Sequence, residues 1–325
     1  MKVAVIGCGG MGHAHALSYA EMPGVELVGV CDMVPEMAQA LAERAGTRAF
    51  TSLEEMNAQV NPDLVSVTVP SFLHKGVVKQ LAEAGKHIVC EKPIALTVAD
   101  AEEMQQICEA NNVRLFVGHV VRFFPEYAQA KQQVSEGLIG NVGVIHAKRA
   151  GSHPGDTKAW FKDMDKSGGV IVDLMIHDID YARWIAGEVK SVYALGKCDD
   201  NMDYALVTLI FENGAVANLE SYWGYPGSFH SKAEIAGSKG IISLDSLKSS
   251  SLQIRKQQTE AEARQFVEIP QSPTHLSPTY RELEHFVSCV RNNSEPLITV
   301  QDACKALEIA NAAVESIRTG KAVML

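Results

Sequence analysis

The stretch that decides the fold is Met1-Lys-Val-Ala-Val-Ile-Gly-Cys-Gly-Gly-Met-Gly12. The β-branched and apolar residues 2–6 predict a short buried strand, and residues 13–21 predict the helix that follows it. The glycines between them form a G-x-G-x-x-G pattern. The first permits a tight turn, the second lets the backbone approach a pyrophosphate, and the third allows close helix–strand packing. The predicted phosphate-binding residues are Gly7, Gly9, Gly10, Met11 and Gly12.

The glycine pattern is weak by itself, because glycine makes up 25 of the 325 residues. Its context strengthens it. Residues 25–30 predict a second strand, and Asp32 follows 20 residues after Gly12, where a carboxylate can accept hydrogen bonds from the adenosine ribose. Asp32 would repel a 2′-phosphate, and no Arg follows it at positions 33–35, so NAD is favoured over NADP. The alternative is a glycine-rich turn with a surface acid.

Composition narrows the class of protein. The length of 325 residues suggests two domains, and the apolar content of 46% with 21% charged residues is that of a globular protein. The net charge of −10, without a Lys/Arg run, argues against nucleic acid and anionic membrane as partners. Seven scattered cysteines without a C-x-x-C pair predict reduced thiols in a cytoplasmic protein. We expect no membrane span.

The order of predicted elements separates two halves. Up to about Gly118, strands alternate with helices, which predicts a doubly wound parallel sheet. The predicted helices lie at 35–45, 52–59, 71–84 and 98–110, and Ser52 and Glu55 have capping-box spacing at the start of the second. Several strand-like runs follow between 142 and 269, the last two at 252–256 and 265–269, and predict a separate α+β domain with antiparallel strands. Helices at 278–291 and 300–319 precede a final strand.

Glu91-Lys92-Pro93 follows the predicted strand at 87–90. The carboxyl ends of strands in a doubly wound sheet line the ligand crevice, and Pro93 keeps Lys92 out of helical geometry. Lys92 could therefore hydrogen-bond a substrate hydroxyl and stabilise the forming alkoxide. The alternative is a surface lysine before a strand-ending proline.

A second candidate stretch is Gly168-Gly-Val-Ile-Val-Asp-Leu-Met-Ile-His-Asp-Ile-Asp180, which we predict to begin a helix over 168–186. Asp173 and His177 are four residues apart and share a face of that helix. Seven of the ten residues 170–179 are apolar, so the helix is predicted to be buried and this polar stripe to face a cavity. A histidine beside a carboxylate suits general acid–base chemistry. The alternatives are a structural histidine and a metal site, although no third metal ligand has a familiar spacing.

Other candidates lie near predicted strand ends or loops. His119 and Arg122 follow the last strand of the first half, and Asp156 and Trp160 lie on the loop before the helix at 168–186. These four are predicted substrate contacts, with linker and packing roles as the alternatives. Val69, Pro70 and His74 lie at a further predicted strand end and are predicted to pass close to the cofactor. The alternative for His74 is a structural role.

Together these motifs resemble the glucose–fructose oxidoreductase / inositol dehydrogenase / rhizopine-catabolism (Gfo/Idh/MocA) family over essentially the whole chain. The matching features are the glycine motif, an acid after the second strand, Val69-Pro70 with His74, Glu91-Lys92-Pro93, Arg122-Phe123 with Pro125, and Gly168-Gly169 with Asp173, His177 and Asp180. The resemblance implies a Rossmann domain, assigned to 1–120, and an α+β domain with a large, mostly antiparallel open sheet, assigned to 121–325. The second domain would bind substrate and mediate a homodimer or homotetramer, and the C-terminal helix could pack back on the first.

The resemblance also implies a reaction. It is the reversible, NAD(P)-dependent oxidation of a secondary hydroxyl on a sugar, inositol or related polyol. By resemblance, Lys92 holds the hydroxyl, His177 accepts its proton, and Asp173 supports the pair or contacts substrate. Glu91 and Lys92 join the cofactor contacts, and no metal is expected. The alternatives are a glycosidase that oxidises and re-reduces its sugar through retained NAD, and a non-catalytic nicotinamide or sugar sensor.

Overall fold

A computed structural model describes residues 1–248, the backbone of 252–256, and residues 276–325. The expected strand at 265–269 lies outside these ranges. The described chain divides into two compact units. The first comprises residues 1–120 and 276–307, and the second comprises residues 121–275 and 308–325.

The first unit contains a six-stranded parallel sheet in the order β3-β2-β1-β4-β5-β6. The strands are β1 Lys2–Ile6, β2 Glu26–Cys31, β3 Ala49–Phe50, β4 Leu64–Val67, β5 His87–Glu91 and β6 Leu115–Gly118. The helices in or entering this unit are α1 Gly10–Ala20, α2 Pro35–Ala45, α3 Leu53–Val60, α4 His74–Glu83, α5 Val98–Ala110, α9 Pro278–Asn292 and α10 Val300–Thr319. This is the predicted doubly wound sheet, and only the two-residue β3 was not anticipated.

Local signals explain several helix ends in this unit. Ser52 accepts the N–H of Glu55 and caps α3, as its capping-box spacing predicts. The predicted helix at 71–84 is instead a 3₁₀ turn, Ser71–Leu73, followed by α4. The core of the unit also includes α9, whose Phe286 stacks on Phe116 of β6 with ring centroids 4.9 Å apart.

The second unit contains an eight-stranded sheet among the described residues, in the order β13-β12-β11-β7-β10-β9-β8-β14. The strands are β7 Val142–Gly151, β8 Val189–Asp199, β9 Met202–Phe211, β10 Val216–Trp223, β11 His230–Gly237, β12 Gly240–Asp245, β13 Leu252–Lys256 and β14 Val323–Met324. Its pairs are antiparallel except β7 with β10, so the expectation of a mostly antiparallel sheet is confirmed.

Helices cover one face of this second sheet, as the alternating burial along β9 and β10 shows. They are α6 Pro125–Ser135, α7 Met164–Ser167 and α8 Ile176–Ala186, and α10 ends in this unit. Ser316 of α10 accepts the N–H of Ala194 on β8 at 3.0 Å. Within the described ranges, no helix has the length and apolar character needed to cross a membrane.

Candidate active site

The glycine turn after β1 depends on the absence of side chains. Gly7 has a φ of +93°, and a Cβ there would lie 2.7 Å from the carbonyl of Thr68. A Cβ on Gly12 would lie 1.9 Å from the carbonyl oxygen of Gly7. Any larger residue would collide with backbone at both positions, so the turn and the helix–strand packing require these two glycines.

The N-terminus of α1 fits a pyrophosphate. The helix begins at Gly10, earlier than the expected residue 13, so the glycine motif itself forms its first turn. Gly9 is the N-cap and supplies no side-chain cap, and a Cβ on Gly10 would meet no heavy atom within 4 Å. No side chain therefore caps the first N–H groups of α1, and open space lies next to them. A bound dinucleotide phosphate needs both.

Asp32, which directly follows β2, is connected to the glycine turn. Its Oδ2 accepts the N–H of Cys8 at 2.7 Å, and its Oδ1 accepts the N–H of Val34 at 2.9 Å. Each carboxylate oxygen retains a further lone pair, and the side chain is only partly buried, so Asp32 can still accept ribose hydroxyls. Asp32 therefore fits the adenosine ribose of NAD, as the sequence predicts.

His74, a predicted cofactor contact, is the first residue of α4. It is 1% exposed, with Nδ1 2.9 Å from the carbonyl oxygen of Pro93 and Nε2 3.0 Å from that of Val69. Both ring nitrogens therefore face backbone of the same unit. Burial acts to lower the pKa of His74, and these carbonyls and the charge of Glu91 act to raise it. Burial has the larger effect, so the pKa of His74 is lowered.

Glu91, at the end of β5, is also held by its own chain. Its Oε1 lies 2.9 Å from Nε2 of His15 on α1, and its Oε2 accepts the N–H of Lys92 at 3.2 Å. Burial acts to raise the pKa of Glu91, but the hydrogen bond from His15 and the nearby cationic groups outweigh it, so the pKa is lowered. Glu91 thus acts as a buried acceptor that holds the backbone of Lys92.

Lys92 lies on a loop whose following residues Pro93, Ile94 and Ala95 are buried, while Lys92 itself is partly exposed. Lys92 therefore lies directly after the end of the parallel strand β5, with its side chain partly exposed. His119, predicted as a substrate contact, follows β6 in the same unit and is 1% exposed.

In the second unit, the segment from Gly168 differs from the single α-helix that the sequence predicts. Gly168 and Gly169 have φ values of +72° and +69°. A π-helical stretch, Ile171–Met175, comes next and contains Asp173, and α8 then begins at Ile176. Periodicity cannot reveal a π-helical stretch, and such insertions frequently occur at functional sites.

Asp173 and His177 are distinguished by exposure. From Gly169 to Ala182, they are the two positions that are not buried. The expected polar stripe on a buried helix is therefore present at these two residues. Asp180, the next member of that stripe, is fully buried.

Arg122, a predicted substrate contact, is 2% exposed and forms a two-pronged salt bridge with Asp180. Its Nε lies 2.9 Å from Oδ2 and its Nη2 lies 2.6 Å from Oδ1. Arg149 of β7 binds Asp178 in the same manner, at 3.0 and 2.9 Å. Two buried arginines thus bind Asp178 and Asp180, on either side of Ile179, and fix the rotation of α8 about its axis.

Asp203 of β9 was not anticipated as part of the site. Its Oδ2 accepts the N–H of Val170 at 2.7 Å, and a Cβ on Gly169 would lie 2.9 Å from that oxygen. Burial raises the pKa of Asp203 against the opposing effects of this hydrogen bond and of His153. The absence of a side chain at Gly169 therefore leaves room for a carboxylate that caps the helical segment carrying Asp173.

The remaining two predicted substrate contacts lie on the loop before this segment. Asp156 is exposed, and its Oδ1 is 3.7 Å from Nζ of Lys162. Trp160 is half-buried and stacks on Phe161 with centroids 3.8 Å apart, and Phe161 meets Trp223 edge-on. The second unit therefore contains Asp156, Trp160, Arg122, Asp173 and His177, whereas Lys92 and His119 belong to the first.

Comparison with known proteins covers nearly the whole chain. Residues 1–119 match the family model described as "Oxidoreductase family, NAD-binding Rossmann fold", GFO_IDH_MocA. Residues 131–325 match the "Oxidoreductase family, C-terminal alpha/beta domain" of the same family.

Individual relatives agree with the family models. Scyllo-inositol 2-dehydrogenase (NAD(+)) of Bacillus subtilis is 32% identical, covering 100% of this chain and 96% of that protein. The 2,7-anhydro-N-acetylneuraminate hydratase of Mediterraneibacter gnavus is 32% identical over 74% of this chain and 66% of that protein. A levoglucosan dehydrogenase structure, in complex with NADH and levoglucosan, superimposes with a TM-score of 0.90 at 24% identity, covering 100% and 99% of the two chains, and shows the shared fold.

Proposed function

Because this chain belongs to the Gfo/Idh/MocA oxidoreductase family, we propose that it interconverts a secondary hydroxyl and a ketone on a sugar, inositol or related polyol. The observation that carries the proposal is the partly exposed pair Asp173 and His177 on an otherwise buried helical segment. The 32% identity to an NAD-dependent inositol dehydrogenase, over the full length of the chain, supports the substrate class.

In the proposed mechanism, His177 removes the proton of the substrate hydroxyl and returns it in the reverse reaction. Lys92 donates a hydrogen bond to the hydroxyl oxygen and stabilises negative charge as the proton leaves. Asp173 orients the His177 ring or contacts substrate. NAD⁺, when bound, supplies the acceptor for the hydride from the carbinol carbon.

We assign cofactor binding to the first unit. The uncapped N-terminus of α1 would hold the pyrophosphate and Asp32 the adenosine ribose, with NAD favoured over NADP. The turn at Val69 and Pro70 and the backbone around Glu91 and Lys92 would complete the cofactor contacts. His119, Arg122, Asp156 and Trp160 are proposed around the substrate, with Arg122 acting through its buried pair with Asp180.

The proposed domain roles are cofactor binding for the first unit and substrate binding with oligomerisation for the second. The predicted division at 120/121 is kept, except that residues 276–307 of the predicted second domain belong to the first unit. Strands β8 and β9 carry four exposed apolar side chains on the face opposite their buried side chains, and we call these four the sheet patch. They are Tyr193, Leu195, Leu206 and Ile210. Leu195 is 54% exposed and pairs across the ladder with Leu206. Such an apolar sheet face suits a second copy of the chain in a homodimer or homotetramer. We further propose a cytoplasmic location, with which seven free cysteines are compatible.

A second candidate function is a redox-assisted lyase or hydrolase that returns its hydride within one turnover. The observation in its favour is the similarity to a protein named as an anhydrosugar hydratase. Such an enzyme would convert an anhydrosugar or glycoside in the presence of NAD⁺ without net reduction of the cofactor.

The deciding experiment follows the near-ultraviolet absorbance of reduced nicotinamide. The purified protein is mixed with NAD⁺ or NADP⁺ and with inositols, aldoses, anhydrosugars or glycosides, and the sugar products are analysed in parallel. Net cofactor reduction with one polyol class supports the dehydrogenase. Product formation from an anhydrosugar or glycoside without net reduction supports the second candidate. Nucleotide binding without any turnover would contradict both.

A further inference from the structure

The ends of β4 and β5 are joined beyond the sheet by one side chain. The ladder between these parallel strands runs as far as Val67 and Cys90. Further along, the carbonyl oxygens of Val69 and Pro93 face the two nitrogens of His74, at 3.0 and 2.9 Å. His74 therefore continues, through its ring, the connection that the ladder provides up to Val67.

A side chain is needed at this point for a physical reason. Both chain segments contain a proline, Pro70 and Pro93, and proline has no N–H to continue a ladder. Pro93 is buried and Val69 is partly buried, and a carbonyl that is removed from water needs a donor. His74 can supply that donor because α4 begins at this residue, and it is itself 1% exposed.

The two ring nitrogens reach different functional segments. Nδ1 faces Pro93, the residue after Lys92, and is 3.3 Å from the carbonyl oxygen of Ile94 on the same loop. Nε2 faces Val69, in the turn to which we assign cofactor contacts. The other side of Lys92 is held by Glu91, which accepts its N–H, and Glu91 is bound in turn by His15.

We propose that His74 is a positioning residue for Lys92, acting through the bond that its Nδ1–H donates to the carbonyl of Pro93. The role of Lys92 in this inference rests on the proposed function. His74 itself touches neither substrate nor reacting atoms in this scheme.

Amide side chains can test the two nitrogens separately. The Asn amide occupies the place of Nδ1 and the longer Gln amide that of Nε2, so His74→Asn keeps a donor beside the carbonyl of Pro93 and His74→Gln does not. His74→Leu removes both ring nitrogens. The matched control is His87→Leu, because His87 lies at the opposite end of β5, where its Nδ1 accepts the N–H of Arg114.

The experiment measures the melting temperature, the Kd for NADH by fluorescence, and kcat and KM for the substrate that the nicotinamide absorbance experiment identifies. We expect His74→Leu to lower kcat by about 10- to 100-fold, as a small displacement of a catalytic group does. His74→Asn should recover kcat to within about threefold of the parent, whereas His74→Gln should not recover kcat. His87→Leu should change the melting temperature without a change in kcat.

A second readout does not depend on catalysis. Lysines are labelled by reductive ¹³C-methylation, and the Lys92 NMR signal is assigned by its loss in Lys92→Ala. His74→Leu should shift this signal, and His74→Asn should restore it. An unmoved Lys92 signal, or equal loss of kcat in His74→Asn and His74→Leu, would overturn the inference. If the signal moves but Lys92→Ala keeps normal turnover, the proposed function of Lys92 fails while the positioning by His74 stands.

Discussion

The carboxylate of Asp203 on β9 accepts the backbone N–H of Val170 at 2.7 Å and so caps the helical segment that carries Asp173 and His177. This acceptor comes from a distant part of the sequence. It takes the place of the Ser, Thr or Asn that helices usually carry at their own start. The orientation of the proposed acid–base pair therefore depends on a strand of the sheet.

Removing this cap should weaken the fold and the activity together. Asp203→Ala is expected to lower the free energy of unfolding by about 1–2 kcal/mol and to reduce kcat, because the first turn of the segment loses its acceptor. Asp203→Asn keeps a side-chain oxygen and should lose much less. Urea unfolding and steady-state kinetics check this. Asp163→Ala, which removes the cap of the short helix α7, serves as the control. Equal behaviour of the Ala and Asn variants would contradict the capping role.

The proposed chemistry predicts a separation of turnover from cofactor binding. Lys92→Ala and His177→Ala should each lower kcat by about 100-fold or more and leave the Kd for NADH nearly unchanged. Asp173→Asn should also lower kcat. His146→Ala, an exposed histidine on β7, is the control. Near-normal turnover of the His177 variant would show that another group accepts the proton.

Asp32 should determine the cofactor preference. Asp32→Ala removes an acceptor for the ribose hydroxyls and a charge that repels a 2′-phosphate, so the Kd for NADH should rise by about tenfold or more, while that for NADPH should change less. Fluorescence titration of both nucleotides measures the ratio. Glu36→Ala, an exposed acid in the first turn of α2, should leave the ratio unchanged. An unchanged preference in the Asp32 variant would contradict the assignment.

Glu282 of α9 should make stability depend on pH. It is fully buried, and neither carboxylate oxygen has a hydrogen-bond partner within the described part of the chain. Burial, with a smaller contribution from the charge of Glu91, raises the pKa of Glu282 well above its ordinary value. The folded protein therefore keeps this proton at a pH where the unfolded chain has lost it, and stability falls as pH rises through that interval.

Glu282→Gln should remove this dependence. From about pH 5 upwards, the free energy of unfolding of the parent should fall relative to that of the variant by up to about 1.4 kcal/mol per pH unit. Denaturant unfolding at pH 5, 6, 7 and 8 gives the slope. Glu284→Gln, exposed on the same helix, should leave it unchanged. Parallel stability curves for the parent and the Glu282 variant would mean that this carboxyl does not hold its proton.

The sheet patch should govern the oligomeric state. Leu195→Asp places a charge beside Leu206 on the apolar face, and we expect it to convert an oligomer into monomers. Sedimentation velocity measures the mass in solution. Leu297→Asp introduces the same charge at an exposed leucine of the first unit and should have no effect. A monomeric parent protein, or an unchanged mass for the Leu195 variant, would refute the proposed interface.

Much of the fold could be predicted because its signals are local. The glycine turn, the strand periods and the helices α2, α5 and α10 agree with the predicted bounds, since each depends on residues close in sequence. The segment after Gly168 could not be predicted in detail. Helical periodicity indicates a buried helix there but does not distinguish π-helical from α-helical backbone.

The candidate site shows the same division. Residue type and motif order single out Lys92, Asp173 and His177 as chemical groups. The sequence predicts Arg122 as a substrate contact and His74 as a cofactor contact from their places near strand ends, but a polar residue near a strand end gives no indication of its partner. In the structure, Arg122 is bound by Asp180, and His74 lies between two carbonyls.

By itself, the sequence determined the strand–turn–helix at the start of the chain, the parallel and mostly antiparallel sheets, and the family. These follow from short-range backbone preferences and from patterns of apolar residues. Only the tertiary structure decided which buried polar groups meet: Asp203 with Val170, Arg149 with Asp178, and His15 with Glu91. A buried donor must find its acceptor wherever the packed chain brings one, and that pairing depends on distances in space that spacing along the sequence does not encode.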